Sequence, residues 1–248
     1  MDPTANNNEK IAPERSSVHY TTYLAILIIV IQILVAVVTY PFLPPMVPSH
    51  WNAAGQVDSY SPRLLNAILF PAMSIGIYAL LQVLTSISPR LGNQSQRANK
   101  TIINLFLVGI LLFMHIIQLA TTAIALGAHI DITMIISLAL SVLFIFLGNY
   151  MGKLRRNFWG GIRTPWTITN ETVWERTHRF AGILFVGGGV LGVVASFLPF
   201  MRLYGIIVIA LVASFLPVIY SYIVYQRVVV RGNQSLSPPF NDEGNGAS

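Results

Sequence analysis

Two stretches of this chain concentrate the side chains able to do chemistry. The first reads Tyr40-Pro-Phe-Leu-Pro-Pro-Met-Val-Pro-Ser-His-Trp-Asn-Ala-Ala-Gly-Gln-Val-Asp58. Pro41, Pro44, Pro45 and Pro48 fix φ and exclude helix, so a stiff extended segment is expected there. His50, Trp51 and Asn52 follow it, then Gly55, which admits a left-handed turn, and Asp58. Two readings stand. Either Pro, Trp and Gly merely shape a loop in which His50 caps a backbone carbonyl, or His50, Trp51, Asn52 and Asp58 converge on an external ligand or metal.

The second stretch runs from Met151 to Arg179. Lys153, Arg155 and Arg156 suit anionic headgroups. Gly160 and Gly161, following Asn157 in the loop, break the chain, and Thr164-Pro165 enforces extended backbone. A helix is expected from Thr169 or Thr172, the latter with Glu175 at capping-box spacing, and passing through Trp174, His178 and Arg179. Arg163 is expected to pair with Glu171 or Glu175, with Trp166 and Trp174 covering the pair to make a structured hub.

Catalytic readings of these residues fail on their partners. Glu175-x-x-His178 has di-iron spacing, but such a site needs a second pair and two further glutamates, and the apolar runs contain no Glu. His-Glu-x-x-His, Gly-x-Ser-x-Gly and a phosphate loop are all missing, and there is no Cys. No catalytic residue, cofactor or metal is assigned, and no direct nucleic-acid contact is expected.

The elements that must position these stretches follow from composition. Of 248 residues, 54% are hydrophobic and only 10% charged, against about 25% in an ordinary soluble domain. With a mean hydropathy of +0.64, a soluble or disordered chain is excluded. Six apolar runs, at 20–40, 64–87, 102–126, 132–150, 180–198 and 203–225, can each cross about 30 Å of hydrocarbon, and none alternates as a barrel strand would. The expected fold is all-α, a polytopic bundle of six transmembrane helices. An N-terminus inside puts 13 of the 15 Lys and Arg on the cytoplasmic side, leaving Arg63 and Arg202 outside. The positive-inside rule therefore predicts both termini cytoplasmic, the Pro-rich loop outside and the basic loop inside. The expected organisation is a disordered tail over 1–19, a three-helix region over 20–126, a second over 127–226 and a disordered tail over 227–248.

Asn104, His115, Gln118 and Thr122 share one helical face, which suits interhelical hydrogen bonding or, alternatively, a polar passage. Gly188, Gly192 and Ser196 offer a small-residue face for close packing, and Pro71 and Pro217 should kink their helices. No Asp, Glu, Lys or Arg lies well inside a span, which argues against a proton-driven pump.

The pattern P-x-x-P-x-H-W-N-x-x-G-x-x-D, filled by Pro45, Pro48, His50, Trp51, Asn52, Gly55 and Asp58, resembles the amino-terminal module of SdpI-type membrane proteins. That family often carries Phe where Trp51 stands. Gly161-Ile-Arg-Thr-Pro-Trp-Thr167 followed by Trp174-x-x-Thr-His-Arg179 is similar to the family's second and more specific module. The resemblance covers most of residues 21–226, although 64–126 matches in hydropathy only. It implies a non-enzymatic immunity protein in a bacterial cell membrane, set in the lipid bilayer and giving resistance to a secreted membrane-active peptide toxin. It further implies a possible partner in a cytoplasmic transcriptional repressor. A small-molecule or peptide transporter and a metal-dependent membrane enzyme are the alternatives.

Overall fold

The computed structural model describes residues 12–87, 95–157 and 160–230. In chain order these form α1 (Ala12–Thr39), a 3-10 turn (Tyr40–Phe42), β1 (Met46–Trp51), β2 (Val57–Pro62), α2 (Arg63–Ile87) and α3 (Ser95–Ala125). Then come α4 (Ile132–Met151), the short α5 (Pro165–Thr169), α6 (Glu171–Ser196) and α7 (Arg202–Tyr225), which continues as a wider turn to Val230. All but α5 are long and apolar enough to cross a membrane, so the chain is an all-α, six-span integral membrane protein.

Two boundaries differ from expectation. Helix α1 begins inside the stretch 1–19 read as a tail, and helical backbone continues past residue 227 to Val230. Residues 1–11 and 231–248, the remainder of both tails, lie outside the described residues. Helix α6 starts at Glu171, between the two predicted starts Thr169 and Thr172, because the Asn170 side chain accepts the Val173 N–H and caps it. The Thr172–Glu175 box is therefore not the start; the true capping box is Thr164 with Thr167, at the head of α5.

The helices pack by two kinds of surface. Ala25, Ile28 and Ile29 of α1 meet Leu107, Val108 and Leu111 of α3, with Ile77, Tyr78 and Leu81 of α2 closing the cluster. The α4–α6 contact is built from absent side chains instead. A Cβ on Gly189 would lie 2.7 Å from the Ser141 carbonyl, and one on Gly182 2.8 Å from the Gly148 carbonyl. Since lipid tails are as apolar as Leu, such close approach rather than hydrophobicity holds spans together. Gly188 faces Ile209 of α7 while Gly192 faces Ser141 of α4, so the predicted small-residue stripe is divided between two neighbours.

The polar stripe of α3 is spent on α1. The Asn104 amide reaches the Thr21 and Thr22 hydroxyls, the Gln118 amide donates to the Gln32 carbonyl at 2.9 Å, and His115 bonds to Gln118. This supports interhelical bonding over a polar passage. Pro71 and Pro217 sit inside unbroken helices.

Candidate functional site

The Pro-rich loop is a β-hairpin rather than a single extended segment. Arg63 N–H donates to the Pro45 carbonyl, and Leu43 and Val47 are buried, anchoring its base. Asn52 makes the turn: its side-chain oxygen accepts the N–H groups of Ala54 and Gln56, each at 3.0 Å, and Gly55 takes φ +76°. Two irregularities in register leave Ser49 and Asp58 without a Cα partner on the facing strand. Such bulges re-aim side chains. Here His50 Nδ1 lies 2.6 Å from Asp58 Oδ1, with 69% of the His50 side chain and 43% of the Asp58 side chain exposed. Asn52 is thus a shaping residue, Trp51 is half-buried, and the His50–Asp58 pair remains the chemically available feature. Among the described residues, no three His, Asp or Glu gather as a metal site would require.

The hairpin tip rests on the start of α4, where Gly55 approaches Thr133 and Asp131. The Asp131 carboxylate caps α4 through the Thr133 and Met134 N–H groups and also binds Arg202 at the start of α7. Burial acts to raise the Asp131 pKa, but the Thr133 hydroxyl, the Met134 N–H and the Arg202 charge outweigh it and hold the pKa below its ordinary value. Arg202 Nε also bonds the Ser196 carbonyl, so the turns of the second three helices are tied beneath the hairpin. This link was absent from the reading of the sequence. Its one local signal is an Asp just before an apolar run.

At the far end of α4, its 20 residues or about 30 Å away, the basic loop folds onto α6. Trp174 and His178 are fully buried and stack at a 4.0 Å centroid separation. The Trp174 indole N–H donates to the Leu154 carbonyl at 2.7 Å, and His178 Nδ1 lies 2.9 Å from the Trp174 carbonyl. A carbonyl only accepts, so Nδ1 carries the proton, and Nε2 is then free to accept the Ile162 N–H at 3.0 Å. Gly161, at φ +94°, is required here: a Cβ would sit 2.3 Å from His178 Nε2. Thr167, also fully buried, donates to the Ile162 carbonyl, while Asn157 accepts the Gly160 N–H. Thr164 is buried and Pro165 opens α5. The Trp166 indole then docks the loop on α7 through Ser221 at 2.6 Å and the Tyr222 and Tyr225 rings.

The hub keeps the expected Trp166 and Trp174 but has a different centre. Arg163, Glu171, Glu175 and Arg179 are exposed, so no buried Arg163–carboxylate pair lies at its centre. His178, packed on Trp174 and bonded to the Ile162 N–H, takes that place. The ends of the molecule also stay apart: the hairpin residues and the basic-loop residues form two sites, not one.

Residues 153–221 match the SdpI/YfhL protein family, and residues 27–75 match a domain of unknown function, DUF1648. The Immunity protein SdpI of Bacillus subtilis (strain 168) is 29% identical over 206 residues, 83% of this chain and 96% of that protein. No solved structure matches. The two family matches fall on these two regions: the first holds the hub and α7 as far as Ser221, the second the hairpin with the adjoining halves of α1 and α2.

Proposed function

The chain belongs to the SdpI-type family, and from that premise we propose that it is a membrane immunity protein protecting a bacterial cell from a secreted, membrane-active peptide. The single observation carrying this reading is the likeness to an immunity protein along nearly that protein's whole length, through both sites. In this reading the hairpin faces outward, as the 13-to-2 division of cations predicts. His50 and Asp58, exposed on a proline-stiffened hairpin, contact the peptide with little ordering cost. Trp51 and Asn52 hold the shape that presents them. Because the hairpin tip touches the head of α4 and the tail of α4 enters the hub, one rigid helix joins the two ends. A cytoplasmic repressor would be held by the exposed Arg163, Glu171, Glu175 and Arg179 around the hub. This is a binding and reporting protein, not an enzyme.

The test is expression in a toxin-sensitive host, scored for survival against a panel of secreted membrane-active peptides. Wild type should protect against at least one. His50→Ala and Asp58→Ala should each abolish protection at unchanged membrane abundance. Full protection by both variants would return these residues to shaping the hairpin.

A further inference from the structure

Beside the hairpin, helices α1 and α2 diverge around a lateral groove of about 510 Å³. Ala36, Ala67 and Ala72 leave it open, Ile33, Val37, Ile68 and Ile75 wall it, and Tyr40 and Leu64 stand at its mouth. The volume lies within the range of small-ligand sites, yet the lining is almost wholly apolar. Leu64 to Ile75 spans eleven helical steps, about 16 Å at 1.5 Å each, or roughly one leaflet of a 30 Å hydrocarbon core. The groove thus begins where headgroups lie and ends near the bilayer centre.

A cation is fixed at that mouth. The Arg63 guanidinium stacks over the Tyr40 ring, 4.9 Å from its centroid, and donates one N–H to the Leu43 carbonyl at 3.2 Å. Those two contacts hold a five-donor fork that is suited to phosphate at headgroup depth. Arg63 is also one of only two basic residues on this side of the chain, so its position is not part of a general basic surface.

We propose that the α1–α2 groove is a lipid site that takes one acyl chain of an anionic phospholipid, with Arg63 on the phosphodiester. An acyl chain fills the apolar groove, and the headgroup supplies the anion that Arg63 does not meet among the described residues. The site is independent of the immunity reading. It would give the hairpin a fixed height at the membrane surface, since Arg63 is both headgroup ligand and first residue of α2.

The full chain reconstituted in phosphatidylcholine vesicles, with spin-labelled phosphatidylglycerol or spin-labelled phosphatidylcholine as probe, tests this by the motionally restricted fraction. Wild type should hold phosphatidylglycerol about fivefold more tightly than phosphatidylcholine, the ratio one headgroup-level cation supports. Arg63→Gln should bring that ratio near one while keeping a restricted chain, and Arg63→Lys should restore most of it. Ala36→Phe, which fills the groove, should remove the restricted phosphatidylglycerol although Arg63 remains. Equal affinity for both lipids in wild type, an undiminished ratio in Arg63→Gln, or undiminished binding in Ala36→Phe would each overturn the proposal. Thermal melting of each variant separates these outcomes from misfolding. If Arg63→Gln melts early, Ala36→Phe alone decides.

Discussion

Replacing His178 with Phe isolates the hydrogen bond at the centre of the hub. Phe fills nearly the same volume and keeps the stack on Trp174, so cavity and stacking losses stay small. The Trp174 carbonyl is a helical acceptor and keeps its backbone partner. What disappears is the acceptor for the Ile162 N–H, which Nε2 now meets at 3.0 Å. A buried donor left without a partner costs about 1–3 kcal/mol, and here the cost falls on the loop that Gly161 and Ile162 bring against α6. Through the local opening equilibrium this becomes a loss of amide protection at Ile162 of roughly five- to 150-fold. Hydrogen–deuterium exchange on the full chain in detergent reads it directly. Glu175→Ala, on the exposed face of the same helix, should leave Ile162 unchanged. An Ile162 amide that exchanges equally fast in wild type and His178→Phe would refute the argument, because the bond would then contribute nothing.

Gly161→Ala and Gly127→Ala form a matched pair: both positions have positive φ, +94° and +97°, but only Gly161 faces an occupied space. Gly127→Ala should cost only backbone strain, about 1–2 kcal/mol, whereas Gly161→Ala must also displace His178 and should lower the melting temperature in detergent markedly more. Because the chain has no Cys, a Cys at Ala54 should react with an impermeant maleimide in intact cells and one at Gly152 should not; the reverse pattern would invert the topology. The depressed pKa of Asp131 makes its contribution complete above its ordinary value near 3.8 and lost as pH falls through the lower folded value. Asp131→Asn should therefore lower stability at neutral pH and flatten the decline in melting temperature below pH 4.

By itself, the sequence determined what solvent this protein needs and how often it crosses it. Six apolar runs without charge leave no other way to satisfy backbone polar groups, and local hydropathy is enough to read that. It also located the hairpin segment and the basic loop, because prolines, glycines and clustered polar residues interrupt helix locally wherever they occur. What it could not decide was which of those residues meet. Charge suggested that Arg163 with Glu171 or Glu175 would form the hub's centre, but all three side chains are exposed rather than buried. The centre went to His178 and Trp174, since their partners are the backbone groups of Leu154 and Ile162, and a main-chain carbonyl or N–H leaves no mark on residue type. In the same way, the pairing of His50 with Asp58 depends on two register irregularities in a hairpin, and the Asp131–Arg202 link joins residues 71 positions apart. Elements follow from neighbours in the chain, whereas sites follow from neighbours in space, and only the packed helices bring those together.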